Sequence, residues 1–333
     1  RKESSAASDV YKRQRVHSMA ARAVDALVVS AFTAFVQIGV WALTPVGIAW
    51  ALAFHWKVTL PLLALYLASY LDGAEVRVKR VRAWPAFSRH FWLFTFMRRV
   101  YRQRVHVPAG LEAEEQIILA LHPHGSMADY RAILDGQLLD LLPALRGKMR
   151  WLAASVLFRL PIVRELTLWT GCIDARRSVA ESALRGGYSV GVLPGGEQEQ
   201  LRTRYGRESV YLRKRFGFVK LALRFGVPLV PGYVFGCVDL YHTSSLLFSA
   251  REWLVRSLGV CVPVCFGAWG VPMAPLAVPL NVVIGRPIKL PRNPEPTDED
   301  VARALDQYIA ALRALFDENK ARFGYADREL EVC

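Results

Sequence analysis

The sequence predicts an α/β domain, a sheet flanked by helices, preceded by an N-terminal membrane hairpin. Two observations support this architecture. Residues 24–71 are almost continuously apolar, and from Glu115 onward short apolar runs alternate with segments of helical periodicity. The composition agrees, because 53% of the 333 residues are hydrophobic and only 22% are charged. This balance excludes intrinsic disorder over most of the chain and argues against an ordinary cytosolic protein.

The charge points towards phosphate-bearing partners. Lys and Arg number 43 against 29 Asp and Glu, for a net charge of +14. Such a charge attracts phosphate on nucleic acid, anionic lipid or a nucleotide-like cofactor, and the apolar content favours the membrane surface over DNA. The five cysteines lack the spacing of a disulfide framework or a zinc site, which indicates reduced thiols facing the cytosol.

The chain begins with a polar, basic stretch at residues 1–18, which we predict to be a disordered or artefactual leader. The hairpin is predicted for residues 19–72. Its first arm, residues 24–54, exceeds the roughly 20 apolar residues that a helix needs to cross a bilayer. Lys57 would cost a few kcal/mol at the bilayer centre, so residues 55–57 should form a turn at an interface.

Basic residues on both sides of the hairpin predict that both of its ends face the cytosol. A signal peptide and a buried core helix are the alternatives. Residues 73–114 form a basic and aromatic segment, within which residues 84–104 predict an interfacial helix with arginines on lipid phosphate. A nucleic-acid patch and an ordinary amphipathic core helix are the alternatives for this segment.

The α/β domain is predicted for residues 115–326, followed by a tail at residues 327–333. Thr297 and Asp300 form a capping signature for a long amphipathic helix that ends near Gly324. Residues 258–280 carry four prolines and are predicted to be irregular. The other predicted elements are strands at 116–121, 189–193, 228–235 and 281–284, and helices at 130–146 and 218–225.

The sharpest motif, His122-Pro123-His124-Gly125, follows the first predicted strand of the domain. Ligands collect at the carboxyl ends of strands in open α/β sheets. An imidazole that acts as a general base needs a group that fixes its tautomer, and Asp129 lies close in sequence to His124. The two residues are therefore a candidate catalytic pair, with a structural histidine in a turn as the alternative.

A metal site is a further interpretation of this motif, because His122 and His124 alternate as in hydrolases with an HxHxDH pattern. In that pattern an acidic residue stands two positions after the second histidine, where this chain has Ser126. No second cluster of histidine and acid appears in the sequence. We therefore predict a site without a metal ion.

Five motifs follow one another along the chain: HPHG at 122–125, GGxxE at 195–199, RFGFVKLALRFG at 215–226, VPGYVFG at 230–236 and GRPI at 285–288. In this order they closely resemble the type-2 diacylglycerol acyltransferase family, and the resemblance covers roughly residues 24–325. More distantly, His124 with Asp129, and Gly171, Ile173 and Arg176, are similar to lysophosphatidate-type glycerolipid acyltransferases. Cys237 and Glu197 depart from the family pattern, which leaves the choice of acceptor open.

The resemblance implies a glycerolipid-acyltransferase-like sheet and a membrane-bound enzyme that transfers a fatty acyl group from acyl-CoA to diacylglycerol. Acyl-CoA would be a co-substrate, and no cofactor is expected. His124 would be the general base, Asp129 would orient it, and His122 would assist or shape the turn. The implied substrate-binding residues are Pro123, Gly125, Arg176, Gly195, Gly196, Glu199, Arg215 and Lys220.

The phosphates of coenzyme A would be met by Arg176, Arg177, Arg215 and Lys220. Glu199 would bind a glycerol hydroxyl or hold an arginine. Backbone N–H groups near Gly125, or at residues 195–196, would stabilise the oxyanion. The resemblance places the protein in the endoplasmic reticulum membrane with a cytosolic active site, and it allows residence on lipid droplets and homo-oligomers.

Three alternatives remain open at this point. The acceptor could be a monoacylglycerol or a long-chain alcohol, which would give diacylglycerol or a wax ester. The chain could instead be a non-catalytic membrane protein that binds lipid, against which the intact HPHG and GGxxE motifs argue. A nucleic-acid binder is suggested only by the charge, and no RNA-binding motif appears, so we expect no nucleic-acid partner.

Overall fold

The computed structural model describes residues 24–32 and 40–333. The predicted leader, residues 1–18, lies outside the described residues, as do residues 19–23 and 33–39 of the predicted hairpin. The helices are α1 (residues 24–32), α2 (Val40–Ala68), α3 (Pro85–His90), α4 (Trp92–Tyr101), α5 (Asp129–Leu141), α6 (Val163–Trp169), α7 (Arg177–Arg185), α8 (Gly196–Arg202), α9 (Gly217–Phe225), α10 (Phe248–Leu258) and α11 (Asp298–Lys320).

The strands form one large sheet and two small ones. They are β1 (Arg104–His106), β2 (Ile118–His122), β3 (Met149–Ala153), β4 (Cys172–Asp174), β5 (Ser189–Val192), β6 (Ser209–Val210), β7 (Leu229–Phe235), β8 (His242–Thr243), β9 (Cys265–Phe266), β10 (Asn281–Ile284) and β11 (Glu331–Val332).

The large sheet has the order β1-β10-β7-β2-β5-β3-β4. Strand β10 runs antiparallel to β7, and all other neighbouring pairs are parallel. From the central strand β2 the chain first builds β3, β4 and β5 on one side and later adds β7 on the other. This change of direction leaves a crevice at the carboxyl end of β2, which is where His122 ends the strand.

Alternate side chains of β2 enter two separate cores, as the pleat of a strand requires. Leu119 and Leu121 join the core that packs under α3, α4 and α5, whereas Ile118 and Ala120 join the core under α7, α9 and α11. All four side chains are fully buried. By the same alternation, His122 faces the side of the sheet that α11 covers.

The strands and helices predicted for the domain are present, and most of their ends differ from the predicted ones by a few residues. The helix predicted for residues 130–146 ends at Leu141, because Pro143 lacks the N–H that would continue it. Thr297 and Asp300 cap α11 reciprocally, and Gly324 adopts a left-handed conformation after its end, as predicted. The tail prediction was incomplete, since β11 pairs in parallel with β6 and ties residues 331–332 to the domain.

Helix α2 presents its apolar side chains to the outside of the protein. The segment Leu43–Asp72 is long and apolar enough to cross a membrane, and its most apolar window is not buried against the protein. Leu65, for example, is 72% exposed. An exposed apolar surface of this size is typical of a site that another apolar surface covers.

Helix α2 bends sharply at His55, where the backbone leaves the helical region (φ −135°, ψ 31°). The Thr59 hydroxyl lies 3.0 Å from the carbonyl oxygen of Ala51, eight residues earlier. In a straight helix eight residues rise by about 12 Å, so the contact requires a tight bend. The bend lies where the sequence predicts a turn. The hairpin as a whole remains a prediction.

Helices α3 and α4 pack one face into the domain. Leu93, Phe94, Met97 and Tyr101 are buried in the core beneath α5, as the core-helix interpretation of residues 84–104 predicts. The opposite face carries exposed tryptophans and arginines, among them Trp92 at 56% exposure. Contact of this outer face with lipid headgroups is therefore compatible with the packing and remains a prediction.

Candidate active site

The HPHG loop turns away from the sheet directly after β2, and its glycine is required by the local geometry. Gly125 has φ +68°, and a Cβ atom there would lie 2.4 Å from the Sγ atom of Cys237. The hydroxyl of Tyr130 donates to the carbonyl oxygen of Pro123 at 3.0 Å and fixes the loop against α5. Pro123 and Gly125 therefore shape the loop, and neither lines the large cavity described below.

The His124 ring is held in one tautomer by its neighbour in the chain. Its Nδ1 atom lies 3.0 Å from the carbonyl oxygen of Gly125. A carbonyl oxygen can only accept, so Nδ1 carries the proton and Nε2 is left with a free lone pair. Burial lowers the pKa of His124 below its ordinary value, which keeps the ring neutral at pH 7. A neutral ring with a free Nε2 is the form that a general base requires.

Glu199 fixes the backbone of the histidine. Its two oxygens accept the backbone N–H groups of His124 at 2.5 Å and Tyr211 at 2.6 Å. The side chain folds back over its own motif, because a Cβ atom on Gly195 would lie 2.2 Å from Glu199 Oε2. Burial raises the pKa of Glu199 to about 7. The GGxxE motif thus joins β5 to the end of β2.

His122 points to the face of the sheet that α11 covers, as the strand alternation dictates. The hydroxyl of Tyr308 on α11 donates to the carbonyl oxygen of Ala120, so His122 Nε2 donates to that hydroxyl at 3.1 Å. The ring is fully buried, and burial lowers its pKa to about 3. His122 does not line the large cavity. The structure thus places His122 at the end of β2, with its Nδ1 atom 3.9 Å from Glu199 Oε2 and, among the described residues, no hydrogen bond to the His124 ring.

Asp129 does not orient His124 in this structure, which corrects that expectation. Its Oδ1 atom accepts the hydroxyl of Tyr241 at 3.1 Å, and within the described residues Oδ2 has no hydrogen-bond partner. The physical reason is that Asp129 begins α5, whose first turn points its side chain towards Tyr241, while the carbonyl of Gly125 already occupies Nδ1 of His124. Burial raises the pKa of Asp129 to about 6.

A cavity of about 1290 Å³ opens in front of His124. Both His124 and Asp129 line it, together with Gly196, Arg215 and Lys220 among the predicted site residues. Its walls are mostly apolar and come from both sides of the crevice. The apolar wall includes Phe91, Phe94, Met97, Leu157, Leu160 and Met273. A cavity of this size and character suits a long apolar ligand that presents one polar group to His124.

Positive charge lines one part of the cavity. Arg215 and Lys220 lie there as predicted, whereas Arg176 does not, because the buried carboxylate of Asp174 holds its guanidinium at 3.0 Å. Arg177, which the sequence also suggested, lines the same cavity, whereas Arg131 and Arg224 line it and were missed. Arg224 lies one helical turn after Lys220 on α9, and this spacing was the signal that could have identified it.

Trp151 is another lining residue that the sequence did not single out. Its ring lies over β5, where a Cβ atom on Gly191 would come within 2.3 Å of it. Its indole N–H donates to Asp135 at 2.7 Å, which fixes the ring in the cavity wall. A glycine inside a predicted strand indicates that another group packs closely on the backbone there, so Gly191 was a signal in the sequence for such a contact.

Comparison with known proteins agrees with the motifs. The family model described as diacylglycerol acyltransferase matches residues 52–333. Diacylglycerol O-acyltransferase 1 of Eremothecium gossypii is 32% identical over 274 residues, which cover 78% of this chain and 58% of that protein. The chain therefore spans less than two thirds of the length of this relative.

The chain is also similar to a second acyltransferase sequence and to one solved acyltransferase structure. Acyl-CoA wax alcohol acyltransferase 2 of Mus musculus is 28% identical over 308 residues, which cover 87% of this chain and 85% of that protein. Among solved structures, the 1-acyl-sn-glycerophosphate acyltransferase PlsC of Thermotoga maritima covers 90% of this chain and 98% of its own, with a TM-score of 0.44 and 16% identity.

Proposed function

This chain belongs to the diacylglycerol acyltransferase family, and on that premise we propose that it transfers a fatty acyl group from acyl-CoA to diacylglycerol, forming triacylglycerol. The proposal rests on the tautomer of the His124 ring and on its position. The ring lies at the wall of a large apolar cavity, with Nδ1 bound to the carbonyl of Gly125 and Nε2 free. An acceptor hydroxyl in that cavity can donate to Nε2.

The reaction follows from this geometry. His124 Nε2 takes the hydroxyl proton while the acceptor oxygen attacks the carbonyl carbon of the thioester. The tetrahedral intermediate then collapses, the carbon–sulfur bond breaks, and the departing thiolate receives the proton from the imidazolium. Direct transfer in this manner needs no covalent enzyme intermediate. The neutral state of His124, which its lowered pKa maintains, is the reactive one.

Two of the backbone N–H groups proposed as oxyanion donors already make hydrogen bonds within the protein, which reduces the number of candidates. The N–H of His124 donates to Glu199, and the N–H of Gly196 donates to the carbonyl oxygen of Leu193 at 3.1 Å. The N–H groups of Gly125 and Gly195 are the remaining candidates of those predicted, since neither donates a hydrogen bond among the described residues. Each of these glycines is next in the chain to a residue that lines the cavity, Gly125 to His124 and Gly195 to Gly196, so we propose that one of the two N–H groups makes the oxyanion contact.

Attachment to a membrane completes the proposal. Diacylglycerol resides in the bilayer, so an enzyme that uses it must hold its site at the lipid surface. Helix α2 supplies an exposed apolar surface, and Leu246, Leu247, Trp253 and Trp269 add a second one on the domain. The second surface leads towards residues 259–263, which line the cavity. We propose that the acceptor enters from the bilayer along this side.

Expression in cells that lack neutral lipid synthesis tests the proposal. Labelled fatty acid should appear in triacylglycerol when the unaltered chain is produced, and not when it carries His124→Ala. Equal membrane levels of the two proteins must be shown by immunoblot. A cell that accumulates no labelled neutral lipid with the unaltered chain would contradict the proposed activity.

A long-chain alcohol is the second candidate acceptor. It is favoured by the similarity to a relative named a wax alcohol acyltransferase, and by a cavity whose walls offer few polar groups to a glycerol backbone. A panel of diacylglycerol, monoacylglycerol and hexadecanol, each with the same acyl-CoA, separates the candidates. The acceptor with the highest kcat/KM identifies the physiological class.

A further inference from the structure

A second, smaller cavity of about 250 Å³ adjoins the large one, and its walls are almost entirely polar. Arg215 belongs to both cavities, so the two are neighbours. Nothing in the reaction at His124 uses the other residues of the small cavity. Its lining residues are Gln198, Arg202, Tyr211, Lys214, Arg215 and Arg256.

Positive charge in the small cavity exceeds the negative charge that faces it. Arg202 and Arg256 share a single carboxylate, that of Glu252, at 2.5 and 3.1 Å. Lys214 and Arg215 form no ion pair with any carboxylate in the described part of the chain. Four cations are opposed by the carboxylate of Glu252 and by the buried carboxyl group of Glu199, whose charge Arg215 also senses. The excess of positive charge leaves a concave site that attracts an anion.

The guanidinium groups are held in place before any ligand arrives. Arg202 and Arg215 lie over the ring of Tyr211, with guanidinium carbons 5.3 and 5.7 Å from its centre. The Nε atom of Arg215 is buried and has no hydrogen-bond partner among the described residues. The rest of the Arg215 guanidinium also makes no hydrogen bond or ion pair among the described residues, so an anion in the cavity can pair with its outer N–H groups.

We propose that the small cavity binds a phosphate ester, an inference that rests on the proposed acyl transfer. The phosphate is one belonging to the acyl-CoA donor, whose thioester then extends past Arg215 into the large cavity towards His124. The same chemistry is offered by the headgroup phosphate of an anionic lipid. Because Tyr211 also donates its backbone N–H to Glu199, an occupied site would steady the carboxylate that holds His124.

Binding measurements on the full-length protein in detergent test this site. The probes are oleoyl-CoA, oleoyl-dephospho-CoA, which lacks the 3′-phosphate, and vesicles with or without phosphatidic acid. The variants are Lys214→Gln and Arg256→Gln. Arg313→Gln, on the exposed face of α11, is the matched control. A lost charge-assisted contact should weaken oleoyl-CoA binding about tenfold, while the control leaves it unchanged.

The outcomes separate the sources of phosphate. Weaker binding of oleoyl-CoA with unchanged binding of the dephospho form assigns the site to the 3′-phosphate, and equal weakening of both assigns it to the diphosphate. Unchanged donor binding with reduced binding to vesicles containing phosphatidic acid assigns it to a lipid headgroup and overturns the donor assignment. If both variants bind all three probes like the unaltered protein, the phosphate site is refuted, even when acyl transfer itself is observed.

Discussion

Glu199 Oε1 lies 2.5 Å from the backbone nitrogen of His124 and accepts its N–H, although the two residues are 75 positions apart in the chain. The contact joins the ends of the neighbouring parallel strands β2 and β5. It positions the histidine through its backbone, whereas the carbonyl of Gly125 positions the ring. Two different groups therefore perform the task that the sequence assigned to one carboxylate.

The first prediction concerns the proposed base. Replacing His124 by Ala removes Nε2, and we expect kcat to fall by about 10²- to 10⁴-fold, the usual contribution of a general base. Membrane insertion should be unchanged. His242→Gln changes an exposed histidine outside the cavity and should leave the rate unaltered. Full acyl transfer by the His124→Ala protein would remove the base assignment.

The second prediction treats Glu199 as a positioning residue. A glutamine there has one acceptor oxygen and one amide group that only donates, so it cannot accept both N–H groups. We expect Glu199→Gln to lower kcat more than tenfold with a smaller change in the KM for acyl-CoA. Glu318→Gln on the exposed side of α11 is the control. A change in KM alone would indicate that Glu199 binds substrate directly.

The third prediction separates a steric clash from backbone strain at Gly125. Gly125→Ala places a Cβ atom against Cys237 Sγ at φ +68°, whereas Gly147→Ala meets open space at φ +74°. We expect Gly147→Ala to cost about 1 kcal/mol of stability and Gly125→Ala about 2–4 kcal/mol. Thermal unfolding measures both.

The same experiment in a Cys237→Ala background provides the test of cause. Removing the sulfur eliminates the contact and leaves the strain. The two alanine substitutions should then destabilise the protein by similar amounts. A difference that persists without the sulfur would show that another neighbour limits Gly125.

The fourth prediction concerns acid stability. Burial lowers the pKa of His122 to about 3, against 6.5 in an exposed histidine. Between these values the unfolded chain binds a proton that the folded chain does not, so stability falls as the pH drops below 6.5. His122→Gln keeps a donor for Tyr308 and should unfold at a temperature that changes less between pH 7 and pH 5. A pH response identical to that of the unaltered protein would contradict this.

Glu199 should have the opposite effect to His122 on the pH dependence of stability, which the same measurements at different pH values would show. Its pKa is raised to about 7 from 4.5, so between these values the folded chain binds a proton that the unfolded chain lacks. Its contribution to stability is therefore lost as the pH rises from 4.5 to 7. Glu199→Gln cannot titrate, and we expect this variant to become relatively more stable with rising pH than the unaltered protein.

The fifth prediction decides whether α2 belongs to a hairpin. The bend at His55 would return the chain to the side from which it entered. Ala20→Cys and Gly110→Cys are introduced one at a time into a chain without its native cysteines. In vesicles of a single known orientation, an impermeant maleimide should then label both positions from the same side of the membrane. Labelling from opposite sides would show a single crossing and exclude the hairpin.

Much of the fold followed from local patterns along the chain. Strand β10 was predicted with its exact ends, and the cap of α11 was read from Thr297 and Asp300. Strands β3 and β4 were not predicted. Strand β3 carries Arg150, whose buried guanidinium donates to the carbonyl oxygen of Val78, and a buried charge of this kind breaks the apolar pattern of a strand.

By itself, the sequence determined several of the strands and helices, the apolar helix and the motifs that identify the family, because these depend on residues near one another in the chain. Only the tertiary structure decided which carboxyl group holds His124. Asp129 is nearer in sequence, but Glu199 makes the contact, since parallel pairing of β2 with β5 brings their ends together. That pairing joins segments some 70 residues apart, a relationship that no local pattern encodes.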